Sequence, residues 1–167
     1  MEGGHRVAGA RRSRAAVGRH RGAAGCRGDA FVTTLRIAGY AALFDKVDGA
    51  RDTIRPGAFS RTLSERRLGS LGPYPLYWQH RPDRRIGWVE TAGEDTRGLR
   101  IIASIDNAQG RAAQLLRTRA VNGLSFGYRA RSYRQTPQGR ELADIELFEV
   151  SVVTHPLQDE ARVHYLS

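Results

Sequence analysis

Cysteine occurs once in this chain of 167 residues, at Cys26. A single thiol excludes an internal disulfide framework and a Cys-based zinc site, and it fits a reducing compartment. No apolar run approaches the roughly 20 residues that a membrane-spanning helix needs, so a soluble protein without a membrane partner is expected. Lysine is nearly absent as well: among 27 basic residues Lys46 is the sole lysine, a bias of composition more than a selection for phosphate binding. The chain has no internal repeat, no P-loop and no dinucleotide fingerprint, and nothing in it calls for a cofactor or a metal.

What the chain does have is arginine. The net charge is +10, a balance that usually points to nucleic acid or an acidic partner. Its distribution weakens that reading, because residues 1–28 carry seven arginines and one acid, leaving 20 basic and 16 acidic residues in 29–167. Those first 28 residues are mainly Arg, Gly and Ala. They offer too little apolar surface to offset the entropy of ordering, so a disordered tail at 1–28 and a single domain at 29–167 are expected. Contact with nucleic acid is expected only through that tail.

Along the domain, Phe31–Ala41 reads as a strand, followed by a polar loop from Asp45 to Thr53. Ala58–Leu68 has helical spacing, with Phe59, Leu63 and Arg66 on one face. Tyr74–His80 is an extended aromatic run, and Pro82 keeps Arg81 out of helix, which places His80 at a strand end. Ile86–Glu90 and Leu99–Ile105 form a hairpin across Gly93–Gly98. Asn107 is positioned to cap a helix running to about Ala120, with Ala112, Leu115, Leu116 and Arg119 at helical spacing. A long apolar strand, Asp144–Pro156, reads as a central one buried on both faces, and Ala161–Tyr165 as a short edge strand. The sum is a mainly β domain with helices, a β-barrel of six to eight strands surrounded by two or more helices.

Three positions stand out chemically. In Gly123-Leu124-Ser125-Phe126-Gly127-Tyr128, alternation sends Leu124, Phe126 and Tyr128 to a core face, and leaves one hydroxyl between two glycines on the other. That pattern fits a barrel strand bent at its glycines, and it also fits an exposed nucleophile with room for a second backbone to approach. A serine attacks a carbonyl when a histidine takes its proton and a third group fixes the histidine tautomer. His80 and Glu149 are the candidates, since a carboxylate inside Leu-Phe-Glu-Val-Ser-Val-Val needs a partner to offset its burial.

These residues lie in blocks that resemble the prohead maturation proteases of tailed phages and of phage-derived gene transfer agents. The blocks run in order from about Ile37 to Val163: Gly39-Tyr40-Ala41 with Phe44 and Asp45; Ile54 to Phe59; Trp78-Gln79-His80 followed by Ile86-Gly87; Gly98-Leu99; Gly123 to Tyr128; and Glu149 to Val153 with Pro156. That family is similar in fold to the herpesvirus assembly proteases. The resemblance implies a serine endopeptidase with Ser125 as nucleophile, His80 as base and Glu149 as third member. It implies cleavage of major capsid protein and scaffold inside immature capsid shells in the bacterial cytoplasm, and leaves open self-processing and a homo-oligomer. A capsid- or nucleic-acid-binding assembly protein without catalysis is the alternative. The herpesvirus relatives use a second histidine, which brings in His155. Period-2 alternation points Glu149 and His155 the same way, but six residues at about 3.3 Å each separate them by roughly 20 Å, so one alone can reach His80. The cost of an unpaired buried carboxylate favours Glu149. The chain departs from the family pattern at Arg81, Arg84 and Arg85, which crowd the loop after His80 and favour acidic substrate side chains there.

Overall fold

The pairing of distant strands sets the site. In a computed structural model that describes residues 34–167, the chain forms eight strands and two helices: β1 Leu35–Leu43, β2 Asp52–Ile54, α1 Ser60–Leu68, β3 Tyr74–Trp78, β4 Arg81–Glu94, β5 Gly98–Ile105, α2 Arg111–Arg117, β6 Gly123–Thr136, β7 Gly139–Val153 and β8 Val163–Leu166. All eight strands join one curled, half-barrel sheet in the order β2-β7-β3-β4-β5-β1-β8, with β6 on the remaining edge of β7. The expected tail at 1–28, and the start of the first strand at Phe31, lie outside the described residues.

β7 is the hinge of this arrangement. It pairs antiparallel with β6 along its whole length and parallel with β2 and β3 on its other edge. Only its last five residues, Glu149–Val153, are buried on both faces; before them burial alternates, with Leu147 buried and Phe148 47% exposed, so the expected burial of the whole strand holds for its end alone. The β3 pairing sets Leu76 against Val150, Tyr77 against Ser151 and Trp78 against Val152, which delivers residues 79 and 80 beside the end of β7. Under the sheet, Phe126 meets Phe59 edge to face at 5.4 Å, and Phe59 and Leu124 are wholly buried. Replacing Phe59 with alanine would cost about 3–5 kcal/mol on this packing.

α1 sits on β7: Thr62 Oγ1 accepts from the Leu147 amide at 3.1 Å, and Ala58 O accepts from the Ile145 amide at 2.9 Å. The Arg66 guanidinium lies over the Tyr74 ring, 4.1 Å from its centroid, a cation–π contact from the expected helix face.

Several expectations need correction. The loop at 45–53 contributes β2, which pairs with the start of β7. Asn107 does not cap α2; its side-chain oxygen accepts the Gln109 amide in a tight turn, and Gly110 is the residue that precedes the helix. The helix then starts later, so its buried positions are Ala113 and Leu116 rather than Ala112, and Arg119 has left the helix with φ of 59°. β3 stops at Trp78, and β7 stops at Val153, short of Pro156. The 74–78 run, the hairpin of β4 and β5 and the short β8 beside β1 form where strands are expected, but β4 begins at Arg81, so Arg81, Arg84 and Arg85 stand on that strand and not in a loop.

Candidate active site

Ser125 faces Ser151 across the β6/β7 ladder, and Gly127 faces Glu149. Cross-strand partners share a face, so Ser125, Gly127, Glu149 and Ser151 form one patch. His80 arrives over it from the end of β3. The Gln79 amide donates to Val152 O at 2.9 Å, and both Gln79 and His80 hold left-handed backbone conformations, with φ of 54° and 56°. Each such conformation costs a non-glycine residue about 1–2 kcal/mol. Two in succession turn the chain sharply enough to swing the imidazole back across β7.

The result is a chain of hydrogen bonds. His80 Nδ1 lies 2.7 Å from Glu149 Oε1, and His80 Nε2 lies 3.0 Å from Ser125 Oγ. A carboxylate can only accept, so the ring proton is assigned to Nδ1, leaving the Nε2 lone pair for the Ser125 hydroxyl. The Glu149 side chain is 11% exposed and that of His80 44%, so the carboxylate is buried under the ring while the working edge of the imidazole faces solvent. The second carboxylate oxygen, Oε2, accepts from Ser151 Oγ at 2.7 Å. Sequence reasoning passed over Ser151, although its position two residues after Glu149 on one strand puts both side chains on the same face.

The two glycines around Ser125 have separate roles. The sequence reading gave their space to an approaching backbone, and this holds for Gly123, where a Cβ would lie 2.6 Å from Val153 O and 2.8 Å from Pro156 Cδ. At Gly127 the space belongs to the Glu149 side chain, whose Oε1 would lie 2.6 Å from an added Cβ. His155 falls beyond β7, is exposed, and makes no hydrogen bond among the described residues, so the expected shared face with Glu149 ends at Val153.

Beside Ser125 is a small cavity of about 20 Å³ bounded by Leu124, Phe126, Tyr128, Leu157 and Asp48. Of these, Tyr128 is held by Asp52, which is 1% exposed and receives the Tyr128 hydroxyl at 2.5 Å and two Arg140 nitrogens at 2.5 and 2.7 Å. Burial alone pushes the Asp52 carboxyl up, but the bonds from Arg140 and Tyr128 outweigh it and hold the group below its ordinary value. The same contacts act in reverse on the phenol: burial, then the bond to Asp52, raise Tyr128 well above the usual range. Of the arginines after His80, Arg81 pairs with Asp83 and Arg85 with Asp106, both at 2.9 Å, while Arg84 has no ion pair among the described residues. No helix among the described residues is long and apolar enough to cross a membrane.

The chain is 28% identical over 132 residues to the prohead protease of Enterobacteria phage HK97, covering 75% of this chain and 57% of that protein. It is 30% identical over 102 residues to the capsid polyprotein of Pseudomonas phage PAJU2, covering 54% of this chain and 15% of the polyprotein. The chain thus spans less than two thirds of the length of either relative. Among solved structures it resembles KSHV protease in complex with a hexapeptide phosphonate inhibitor, with a TM-score of 0.52 at 16% identity over 78% of this chain and 64% of that one, a likeness of fold. The profile of one family spans residues 27–167, the β6 serine and everything that surrounds it included, and the chain belongs to that family, the Caudovirus prohead serine proteases.

Proposed function

We propose that this chain is a serine endopeptidase that cleaves capsid and scaffold proteins during prohead maturation, inside the immature shell. The observation that carries the reading is the unbroken line Ser125 Oγ, His80 Nε2, His80 Nδ1, Glu149 Oε1, with links of 3.0 and 2.7 Å across three elements distant in sequence. In this reading Ser125 Oγ bonds to the scissile carbonyl carbon while its proton passes to His80 Nε2. Collapse of the tetrahedral intermediate breaks the C–N bond, and His80 returns the proton to the leaving amine. Water then repeats the sequence on the acyl-enzyme. Glu149 keeps the proton on Nδ1 and balances the imidazolium charge as it forms. Backbone amides facing the oxyanion supply the remaining stabilisation.

The test is Ser125→Ala in cells that co-express the capsid and scaffold proteins of the same phage. Processing should fall by roughly 10,000-fold or more, with the circular dichroism spectrum unchanged. Processing at the parental rate would end the protease reading and leave a capsid-binding assembly protein. The same gel reports on self-processing, which in this reading disappears with the hydroxyl.

A further inference from the structure

We propose that Ser151 is a positioning residue of this site, a buried hydroxyl that holds the third carboxylate and the base in register with each other. The proposal rests on the reading of Ser125, His80 and Glu149 as a catalytic triad. Ser151 is 0% exposed, and its hydroxyl is used in both directions. It donates to Glu149 Oε2 at 2.7 Å and accepts from the His80 main-chain amide at 3.2 Å. It therefore touches both partners of the His80–Glu149 bond at points other than the bond itself.

Each contact answers a need. Glu149 is attached to β7 through two rotatable methylenes, and the bond from Oε1 to His80 leaves the carboxylate free to swing about that contact. The bond at Oε2 removes this freedom, so that Oε1 is presented to Nδ1 in one orientation. His80 sits in a left-handed turn that no glycine relieves, with φ of 56° following Gln79 at 54°. Such conformations persist where the surroundings over-determine them. The main-chain amides of this turn are tethered by Gln79 N–H to Val152 O at 2.9 Å and His80 N–H to Ser151 Oγ, while the Gln79 side chain adds two longer bonds to Thr154 at 3.4 Å. The bond from His80 N–H is the last main-chain tether before the catalytic ring. Parallel pairing of Tyr77 with Ser151 brings the hydroxyl there. A purely structural serine in a strand would need neither partner to be catalytic, whereas here both are.

A readout independent of the unidentified cleavage sequence is phosphonylation by an alkyl fluorophosphonate. Ser125 Oγ bonds to phosphorus, fluoride leaves, and the hydroxyl proton passes to His80. Ser151→Ala should lower kinact by about 10- to 100-fold with KI unchanged, the loss expected when a reacting group drifts by about an ångström. The proton spectrum in water should show the downfield His80 Nδ1–H resonance of the parent shifted upfield or broadened away. Rates are taken per folded molecule, from the far-UV circular dichroism of each preparation. Should the alanine variant fail to fold, Ser151→Cys decides, since a thiol fills the same space but donates weakly, and it should show the same fall in kinact. Parental kinact with an unmoved Nδ1–H resonance in the folded variant overturns the proposal and reduces Ser151 to a packing residue. A parent protein that does not react, or a Ser125→Ala variant that reacts equally, overturns the triad reading itself and with it the role of Ser151.

Discussion

Gly127→Ala is the substitution that most directly asks whether the Glu149 carboxylate must stay where it is. The added Cβ would lie 2.6 Å from Glu149 Oε1 and 3.0 Å from its Cγ, against an ordinary contact of 3.4 Å or more. The carboxylate must therefore retreat by about 0.8 Å, and the 2.7 Å bond to His80 Nδ1 cannot survive unchanged. A displacement near 1 Å in a catalytic constellation costs about 100-fold, or ~2.7 kcal/mol of transition-state stabilisation. The fold should not share this loss. Gly127 lies in β6 without a positive φ, so alanine fits the backbone and gains about 0.4–1 kcal/mol by restricting the unfolded chain. The expected outcome is a melting temperature within about 4 °C of the parent and a kcat/KM lower by about two orders of magnitude, measured by cleavage of the co-purified capsid protein. Gly123→Ala is the contrast, because its Cβ would meet the Val153 carbonyl oxygen at 2.6 Å, main chain that cannot rotate away. That variant should lose about 1–3 kcal/mol of stability. A Gly127→Ala enzyme with parental kcat/KM and a parental melt would refute the placement of Glu149 as the group that orients His80.

The other substitutions separate the remaining roles. Glu149→Gln should lower kcat by about 1,000- to 10,000-fold, by analogy with loss of the orienting carboxylate in serine protease triads, while His155→Ala should change it less than about twofold, as expected of an exposed residue off the site; the reverse order in a peptidase assay would make the site Ser-His-His. Arg84→Ala should raise KM for substrates with acidic side chains near the scissile bond by up to about fivefold, the worth of one exposed ion pair, and added salt should erase the difference; equal KM values at low salt would remove Arg84 from substrate recognition. Asp52, held below its ordinary value of 3.8, contributes stability that is complete above that value and is lost as pH falls through its lower folded value. Asp52→Asn should therefore destabilise the protein at neutral pH by about 2 kcal/mol, the buried-pair cost discounted for the solvent around Arg140, and flatten the acid limb of a melting-temperature profile; parallel profiles would show that Asp52 is not titrating in the folded state.

The parts of the fold legible in the sequence were those where one physical requirement repeats along a strand. The extended aromatic run at Tyr74–Trp78 and the near-continuous apolar content expected over Asp144–Pro156 both mark strands, although β7 starts earlier, at Gly139, and stops at Val153. The misplaced features depend on a single local competition. Asn107 has the chemistry of a helix cap, yet its side chain accepts the Gln109 amide, and the turn this closes delays α2 to Arg111. β2 is three residues long, and its pairing with Arg140–Leu142 comes from the far end of the β6/β7 hairpin. No periodicity in so short a stretch could announce a partner 88 residues away.

The same distinction explains what was legible in the site. Ser125 and Glu149 were conspicuous because each violates its strand: a hydroxyl on an otherwise empty face, and a carboxylate in an apolar run. His80 was conspicuous because it closes an aromatic run just before Pro82, and it lies in the turn between β3 and β4. Ser151 violates nothing, since a serine in a strand is ordinary, and its meaning appears only when β3 and β6 pair on opposite edges of β7 and bring His80 N–H within 3.2 Å of its hydroxyl. Gly127 was noticed for its missing side chain but given the wrong neighbour, because the sequence displays a vacancy without its occupant. The occupant is the carboxylate that the alternation of β7 had already turned toward the same face. The empty face and the misplaced charge are therefore one feature divided between two strands, and the glycine is there because the glutamate is.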